Sequence, residues 1–252
     1  MIHFLKRKLN PRLLKKRLLH YALKGNNVHC PCCDASYITF LPAGIVKRAN
    51  AACPNCGSLE RHRLLWLYLK KQGDLFTKHL KLLHPAPEKL YYKIFSSLGN
   101  IAYYPTDLNP EGYGYGKKTL KMDITNITFD DNFFDAIICN HVLEHVPDDN
   151  KAMREMYRVL KPGCWAIINV PLDMSRDATF EDATINDAKK QLEVFGQPDH
   201  VRIYGRDYIS RLQQAGFEVD VIDFAKKFDE AERFRYGLKS SELIFLCRKT
   251  AG

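Results

Sequence analysis

The stretch Phe134-Asp135-Ala136-Ile137-Ile138-Cys139-Asn140-His141-Val142-Leu143-Glu144-His145-Val146 decides the fold. Its first seven residues are a short apolar run of strand length, and they pass without a spacer into a turn bearing two histidines and a glutamate. A strand that ends directly in chemistry-bearing side chains is the pattern of an open parallel sheet, where ligands bind beyond the carboxyl ends of the strands.

Outward from this stretch, short apolar runs alternate with amphipathic segments, which indicates strands and helices taking turns around a mostly parallel sheet. Strands are expected over 81–84, 101–106, 119–121, 134–140, 164–170, 217–224 and 242–248, with helices over 88–98, 148–160 and 206–215. No clear helical crossover separates the last two strands, so they are expected to be antiparallel. The fold class is therefore α/β, a doubly wound seven-stranded sheet.

Two further carboxylates fall at strand ends. Asp107 follows the run Ile101-Ala102-Tyr103-Tyr104-Pro105-Thr106 and comes 19 residues after Glu88, near the spacing at which a second-strand acid reaches ribose hydroxyls. Asp123 closes the third strand in Lys121-Met122-Asp123-Ile124.

The succession Met122-Asp123-Ile124, Phe134-Asp135-Ala136-Ile137, His141-Val142-Leu143-Glu144-His145-Val146 and Val159-Leu160-Lys161-Pro162-Gly163 resembles class I S-adenosylmethionine-dependent methyltransferases of the ubiquinone/menaquinone-biosynthesis type. The resemblance covers about residues 80 to 250 and implies the strand order 3-2-1-4-5-7-6 of a Rossmann-like methyltransferase. It also implies S-adenosyl-L-methionine as cofactor, with Asp107 on the ribose, Asp123 on the adenine amine, Ile124 against the ring, and Asn140 and His141 beside the methionine end. His84, Ala86, Glu88 and Leu108 complete that cofactor set. Leu82-Leu83-His84-Pro85-Ala86-Pro87-Glu88 and Cys53-Pro54-Asn55-Cys56-Gly57-Ser58-Leu59-Glu60-Arg61-His62-Arg63 resemble a subgroup with an N-terminal zinc ribbon, in some cases encoded among bacterial surface-sugar genes. One departure stands out. The first loop has no glycine and carries two prolines that cannot donate an N–H; Ala86 is read as keeping the approach open and Glu88 as facing the cationic end of the ligand.

Methyl transfer is an in-line displacement that depends chiefly on positioning, so a base is needed only for a protonated acceptor. The catalytic candidates are His145, His200 and Tyr204, with His141 and Glu144 close behind. His141 and His145 are four apart and could ligate a metal, but the sequence offers no evident third ligand. Residues 172–205 form an insertion whose mixture of His, Arg, Asp and Tyr suits a polar or anionic acceptor, read as a lid over it, beside the alternative of a solvated surface excursion.

Five of the eight cysteines fall within 27 residues. Cys30, Cys33, Cys53 and Cys56 have the spacing Cys-x2-Cys-x19-Cys-x2-Cys of a four-cysteine zinc ribbon, with structural Zn2+ expected; whether Cys32 replaces a member of the first pair stays open. Ser58 is the expected N-cap of a helix running to about Gln72.

Charge is distributed unevenly. Of the net +9, the first 33 residues carry eight basic side chains and no acid, which leaves 30 basic against 29 acidic residues in the remainder. Residues 10–24 read as a basic amphipathic helix begun by Asn10 and Pro11 and stopped by Gly25. An anchor to an anionic membrane surface or to RNA and a solvated helix packed on the body are both compatible with it. The expected division is a basic helix over 1–26, a zinc ribbon over 27–57, and a methyltransferase domain over 58–252.

A composition of 46% apolar and 27% charged residues excludes a mainly disordered chain, and no apolar run is long enough to span a bilayer. Charges interrupt every candidate signal core, so the expected location is cytoplasmic, with attachment to the membrane periphery through residues 1–24 open. The expected acceptor is a small or glycan-linked molecule. RNA is the less favoured partner because the body is near neutral, DNA is not expected, and a non-catalytic scaffold is the remaining alternative.

Overall fold

The computed structural model describes residues 18–112, 116 and 118–251. The expected helix over 10–24 therefore lies outside the described residues up to residue 17. Residues 18–22 are helical, and the chain is already a strand at Lys24, before the expected stop at Gly25.

The protein divides into two compact units. The first contains the described residues up to Gln72 together with Asp223–Glu242, and the second contains Gly73–Ile222 with Leu243–Gly252. This division differs from the one read at residue 57: the helix after the cysteines and a segment near the C-terminus both group with the ribbon.

In the first unit, β1 (Lys24–Cys30) pairs antiparallel with β2 (Ala35–Tyr37), and β3 (Leu41–Ala43) with β4 (Arg48–Ala52). Helix α1 (Glu60–Gln72) follows. Ser58 does not serve as its cap in the expected way: its hydroxyl lies 3.1 Å from Cys30 Sγ, and the Leu59 amide instead donates to His62 Nδ1. Arg63 is fully buried and holds the unit together. Its guanidinium donates to the carbonyls of Ala51, Ser58, Tyr236 and Gly237 and lies 4.2 Å above the Phe40 ring. Gly237 closes the helix Glu230–Tyr236 at φ +57°, and a β carbon there would come within 2.8 Å of Phe40 and Arg63.

The second unit is built on a seven-stranded sheet. Its strands are β5 (Leu80–Pro85), β6 (Ile101–Asp107), β7 (Leu120–Lys121), β8 (Phe134–Asn140), β9 (Leu160–Asn169), β12 (Glu218–Ile222) and β13 (Ile244–Arg248), in the order β12-β13-β9-β8-β5-β6-β7. Strands β5 to β9 are mutually parallel, while β13 runs antiparallel to both β9 and β12. This is the order 3-2-1-4-5-7-6 read from the other edge. β8 is buried along nearly its whole length, as a central strand covered on both faces must be.

Helix α2 (Asp74–Thr77) precedes β5, and α3 (Lys89–Phe95) crosses from β5 to β6. α4 (Asp149–Val159) crosses from β8 to β9, with Asp148 capping it by accepting from the Lys151 amide. It buries Ala152, Met153, Met156 and Val159 at helical spacing. The insertion folds into its own small element, in which β10 (Phe180–Glu181) pairs antiparallel with β11 (Arg202–Ile203) and α5 (Ala188–Phe195) lies between them. α6 (Tyr208–Gln214) then leads into β12. Between β12 and β13 the chain leaves the sheet and adds α7 (Glu230–Tyr236) to the first unit. The sequence reading saw no helix here, although Asp229 and Glu232 form a complete capping box.

Candidate active site and cysteine cluster

Because β5 to β9 are parallel, their carboxyl ends gather at one edge, and that edge collects Ala86, Asp107, Asp123, Asn140 and Asn169. At the end of β5, Ala86 adopts φ +45°, a left-handed conformation costly for a residue with a β carbon. Its amide donates to the Thr106 carbonyl at 2.7 Å. With Pro85 and Pro87 on either side, the loop offers no unpaired backbone donor from 85 to 87. His84 is fully buried against Tyr91, Phe95 and Tyr103; its Nε2 lies 3.1 Å from Glu88 Oε2 and its Nδ1 2.8 Å from the Tyr103 hydroxyl. His84 thus ties strand, loop and neighbouring strand together rather than facing a ligand, which corrects its assignment as a cofactor contact.

Asp107 ends β6, where its Oδ1 accepts from the Asn109 amide and its carbonyl from Met122. Leu108 is exposed beside it. Asp123 is exposed after β7, with Oδ1 accepting from the amide and the hydroxyl of Thr125, and Ile124 is half-buried. These residues stand on adjacent strand ends, as expected of one binding edge.

Beyond β8 the arrangement is denser. Asn140 is buried, and its Oδ1 accepts from Asn169 Nδ2 at 3.0 Å, whereas its Nδ2 has no hydrogen-bond partner among the described residues. His141 adopts φ +53°; its amide donates to the Asn169 carbonyl, and its Nδ1 lies 3.2 Å from Glu144 Oε1. Glu144 is buried, and its other oxygen has no hydrogen-bond partner among the described residues. His145 Nδ1 lies 3.1 Å from the Asp199 carbonyl, and the rings of His145 and His200 meet edge to face at 4.7 Å. Burial holds His200 below the ordinary histidine range, favouring the neutral ring.

The insertion is pinned to this turn. The Val201 amide donates to the Glu144 carbonyl, and the buried Arg202 guanidinium donates to the carbonyls of Leu143, Val146 and Pro147 and to Glu181. Tyr204 corrects the sequence reading. Its hydroxyl is buried and donates to Asp149 Oδ2 at 2.7 Å, and burial pushes its pKa well up, so it is a structural residue rather than a catalytic one. Sequence reasoning missed Asn169 and Arg202. Asn169 closes its strand as Asn140 does, which could have identified it, while Arg202 lies in a segment without periodicity.

In the first unit, Cys30, Cys33, Cys53 and Cys56 bring all four sulfurs within 4.8 Å of one another. Cys30 and Cys56 are 3.6 Å apart, and Cys33 and Cys53 are 3.7 Å apart. A tetrahedron of roughly 2.3 Å zinc–sulfur bonds has its sulfurs about 3.8 Å apart, so the donor set fits zinc. Cys32 lies outside this cluster of four, with its Sγ 3.8 Å from the His62 carbonyl.

Residues 89–168 match a family model described as a methyltransferase domain. The ubiquinone/menaquinone biosynthesis C-methyltransferase of Pectobacterium atrosepticum is 29% identical over 133 residues, 53% of this chain and 51% of that protein. The cycloartenol-C-24-methyltransferase of Arabidopsis thaliana is 34% identical over 102 residues, 40% of this chain and 29% of that protein. The chain thus spans about half, or less, of the length of these curated relatives. Among solved structures, an S-adenosylmethionine-dependent methyltransferase from Mesorhizobium loti superposes with a TM-score of 0.50 at 15% identity, covering 74% of this chain and 98% of that one. The [4+2]-cyclase SpnF also reaches 0.50, at 17% identity, covering 77% and 84%. Residues 89–168 of the second unit thus match a methyltransferase-domain family, and the unit has the sheet order and fold seen in S-adenosylmethionine-dependent methyltransferases.

Proposed function

We propose that this protein transfers a methyl group from S-adenosylmethionine to a small or carbohydrate-linked acceptor. The observation that carries this reading is the buried, unpartnered Asn140 Nδ2 at the edge that also bears Asp107 and Asp123. A buried donor without a partner is costly, and a ligand's acceptor group would satisfy it. When bound, the cofactor supplies a methyl group made electrophilic by its sulfonium. Asp107 would accept from the ribose hydroxyls and Asp123 from the adenine amine, with Ile124 on the ring and Asn140 donating to the methionine end. Pinned to the turn after β8, the insertion would exclude water, and an acceptor that arrives protonated would give its proton to His145 or His200. The SpnF cyclase shares the fold at low identity, so the site residues, not the fold, support methyl transfer.

Calorimetric titration with S-adenosylmethionine and S-adenosylhomocysteine tests the reading. Micromolar binding, weakened about ten- to a hundredfold by Asp107→Ala, is expected for charge-assisted hydrogen bonds of about 1.5–3 kcal/mol. Absence of binding to the wild-type chain would favour a scaffold that has lost its cofactor. Acceptor screens should run from sugars to RNA, and RNA binding that falls by orders of magnitude between low and moderate salt would revive the RNA reading.

The cysteine cluster is proposed to hold structural zinc, which at about 10 kcal/mol or more can stabilise a module too small to fold alone. Cys33→Ser should lose the zinc found by metal analysis of the wild type, whereas Cys32→Ser should keep it. Residues 1–24 are proposed as a peripheral membrane contact of a cytoplasmic protein, testable by flotation with anionic vesicles. Among the described residues no helix is long and apolar enough to cross a membrane.

A further inference from the structure

We propose that Glu144, His145 and His200 bind a divalent first-row transition-metal ion at the carboxyl end of β8, a site separate from the four cysteines. Each residue offers one donor atom, and the three atoms lie within 4.8 Å of one another. Glu144 and His145 are adjacent in the chain, and the third donor, His200, is supplied by the insertion, 55 positions beyond His145. His141 instead holds Glu144 in place from 3.2 Å on Oε1. Glu144 Oε2 is the independent sign of a ligand, being a buried carboxylate oxygen with no hydrogen-bond partner among the described residues. Leaving such an oxygen unsatisfied is costly, and a cation is the partner a carboxylate between two imidazoles accepts best.

The surroundings suit coordination. His145 has Nδ1 against the Asp199 carbonyl; with Nδ1–H donating there, Nε2 keeps its lone pair, the usual state of a metal-bound histidine. The two elements that supply ligands are joined by the Val201 amide on the Glu144 carbonyl, and Arg202 grips the carbonyls of Leu143, Val146 and Pro147 around Glu144 and His145. The donor triad is therefore preorganised rather than dependent on the ion to assemble it. Two imidazoles and one carboxylate select first-row ions over Mg2+ or Ca2+ and leave coordination positions open. Resting on the methyltransferase reading, those open positions would take hydroxyl or carboxylate oxygens of the acceptor. A ring nitrogen that binds the ion cannot also accept the acceptor's proton, so metal binding would displace the base role given to His145 and His200 above.

The test is titration of the full chain, its cysteine site loaded with zinc, with Co2+ followed by absorption. One further equivalent is expected, with weak d–d bands and without the charge-transfer band of cobalt thiolate, and it should raise the unfolding temperature. Glu144→Gln and His200→Ala should each weaken Co2+ binding about tenfold or more. A wild-type chain that takes up no Co2+ outside the cysteines, or variants that bind it as the wild type does, would overturn the proposal. His200→Ala alters a half-buried loop residue and keeps the test decisive if Glu144→Gln does not fold. S-adenosylhomocysteine binding measured on the same samples separates the two readings. Cofactor binding without Co2+ uptake defeats only the metal site, and Co2+ uptake without cofactor binding defeats only the methyltransferase reading.

Discussion

Two adjacent parallel strands, β5 and β8, end in turns that both pass through the left-handed region on residues with a β carbon, Ala86 at φ +45° and His141 at φ +53°. They differ in what they do with their polar groups. The loop after β5 commits its backbone donor and its histidine: Ala86 N–H bonds Thr106, two prolines flank it, and His84 is tied to Glu88 and Tyr103. The turn after β8 leaves Asn140 Nδ2 and Glu144 Oε2 buried and, among the described residues, without a hydrogen-bond partner. In a glycine-rich first loop the backbone takes up the phosphate or methionine end of a ligand; on the function proposed above, that capacity lies here one strand over and in side chains, with the first turn as a wall beside it.

If that contrast is right, the second turn should depend on distant support while the first stands alone. The largest effect should come from Arg202→Met, which removes the guanidinium that holds three carbonyls of the β8 turn and the Glu181 carboxylate. Breaking a buried, charged hydrogen-bonding hub costs about 3–5 kcal/mol, and chemical denaturation should show a loss of that size. Unchanged stability would mean that the turn is held by its own sequence. Next in size is Asn140→Ala, read by calorimetry. It should weaken S-adenosylhomocysteine about tenfold or more, since one buried hydrogen bond to a charged group is worth about 1.5–3 kcal/mol. It should also destabilise the protein by about 1–3 kcal/mol, because Asn169 Nδ2 loses its buried acceptor. Undiminished affinity would place the binding capacity elsewhere on the edge.

The same contrast explains which parts of the molecule were legible in the sequence. Strand positions were readable because burial on both faces forces apolar runs such as Ile137-Ile138-Cys139, strand order came from the resemblance to the methyltransferases, and the cysteine spacing carried its own geometry. Asp107 and Asp123 stand at strand ends where the sequence pattern placed them, and Asn140, singled out through the resemblance, ends β8. What could not be read depends on contacts between residues far apart in the chain. Tyr204 looked like a free phenol until Asp149 took its hydroxyl, Ser58 looked like a helix cap until Cys30 drew it aside, and His200 has no ligand partner nearby in sequence. The grouping of Asp223–Glu242 with the ribbon rests on Arg63 bonds to Tyr236 and Gly237, which no local pattern announces, although the capping box at Asp229 did announce the helix.

The smallest effect sharpens the comparison most. Ala86→Gly would restore the residue that a left-handed turn prefers, relieving strain of about 1 kcal/mol while adding chain entropy to the unfolded state. A net gain of up to about 0.5–1 kcal/mol is expected, visible as a rise of about 1–3 °C in Tm for a protein of this size. Cofactor affinity should nevertheless stay within about threefold, or 0.7 kcal/mol. The glycine amide would still be committed to the Thr106 carbonyl, and the prolines on both sides would still offer no donor. A large gain in affinity would show that the missing glycine limits the approach of the ligand, and that the first loop is a weakened binding element rather than a wall. Unchanged affinity with higher stability would show that the strain at Ala86 is not used for binding, and that the edge beyond β8 carries the ligand's charged end.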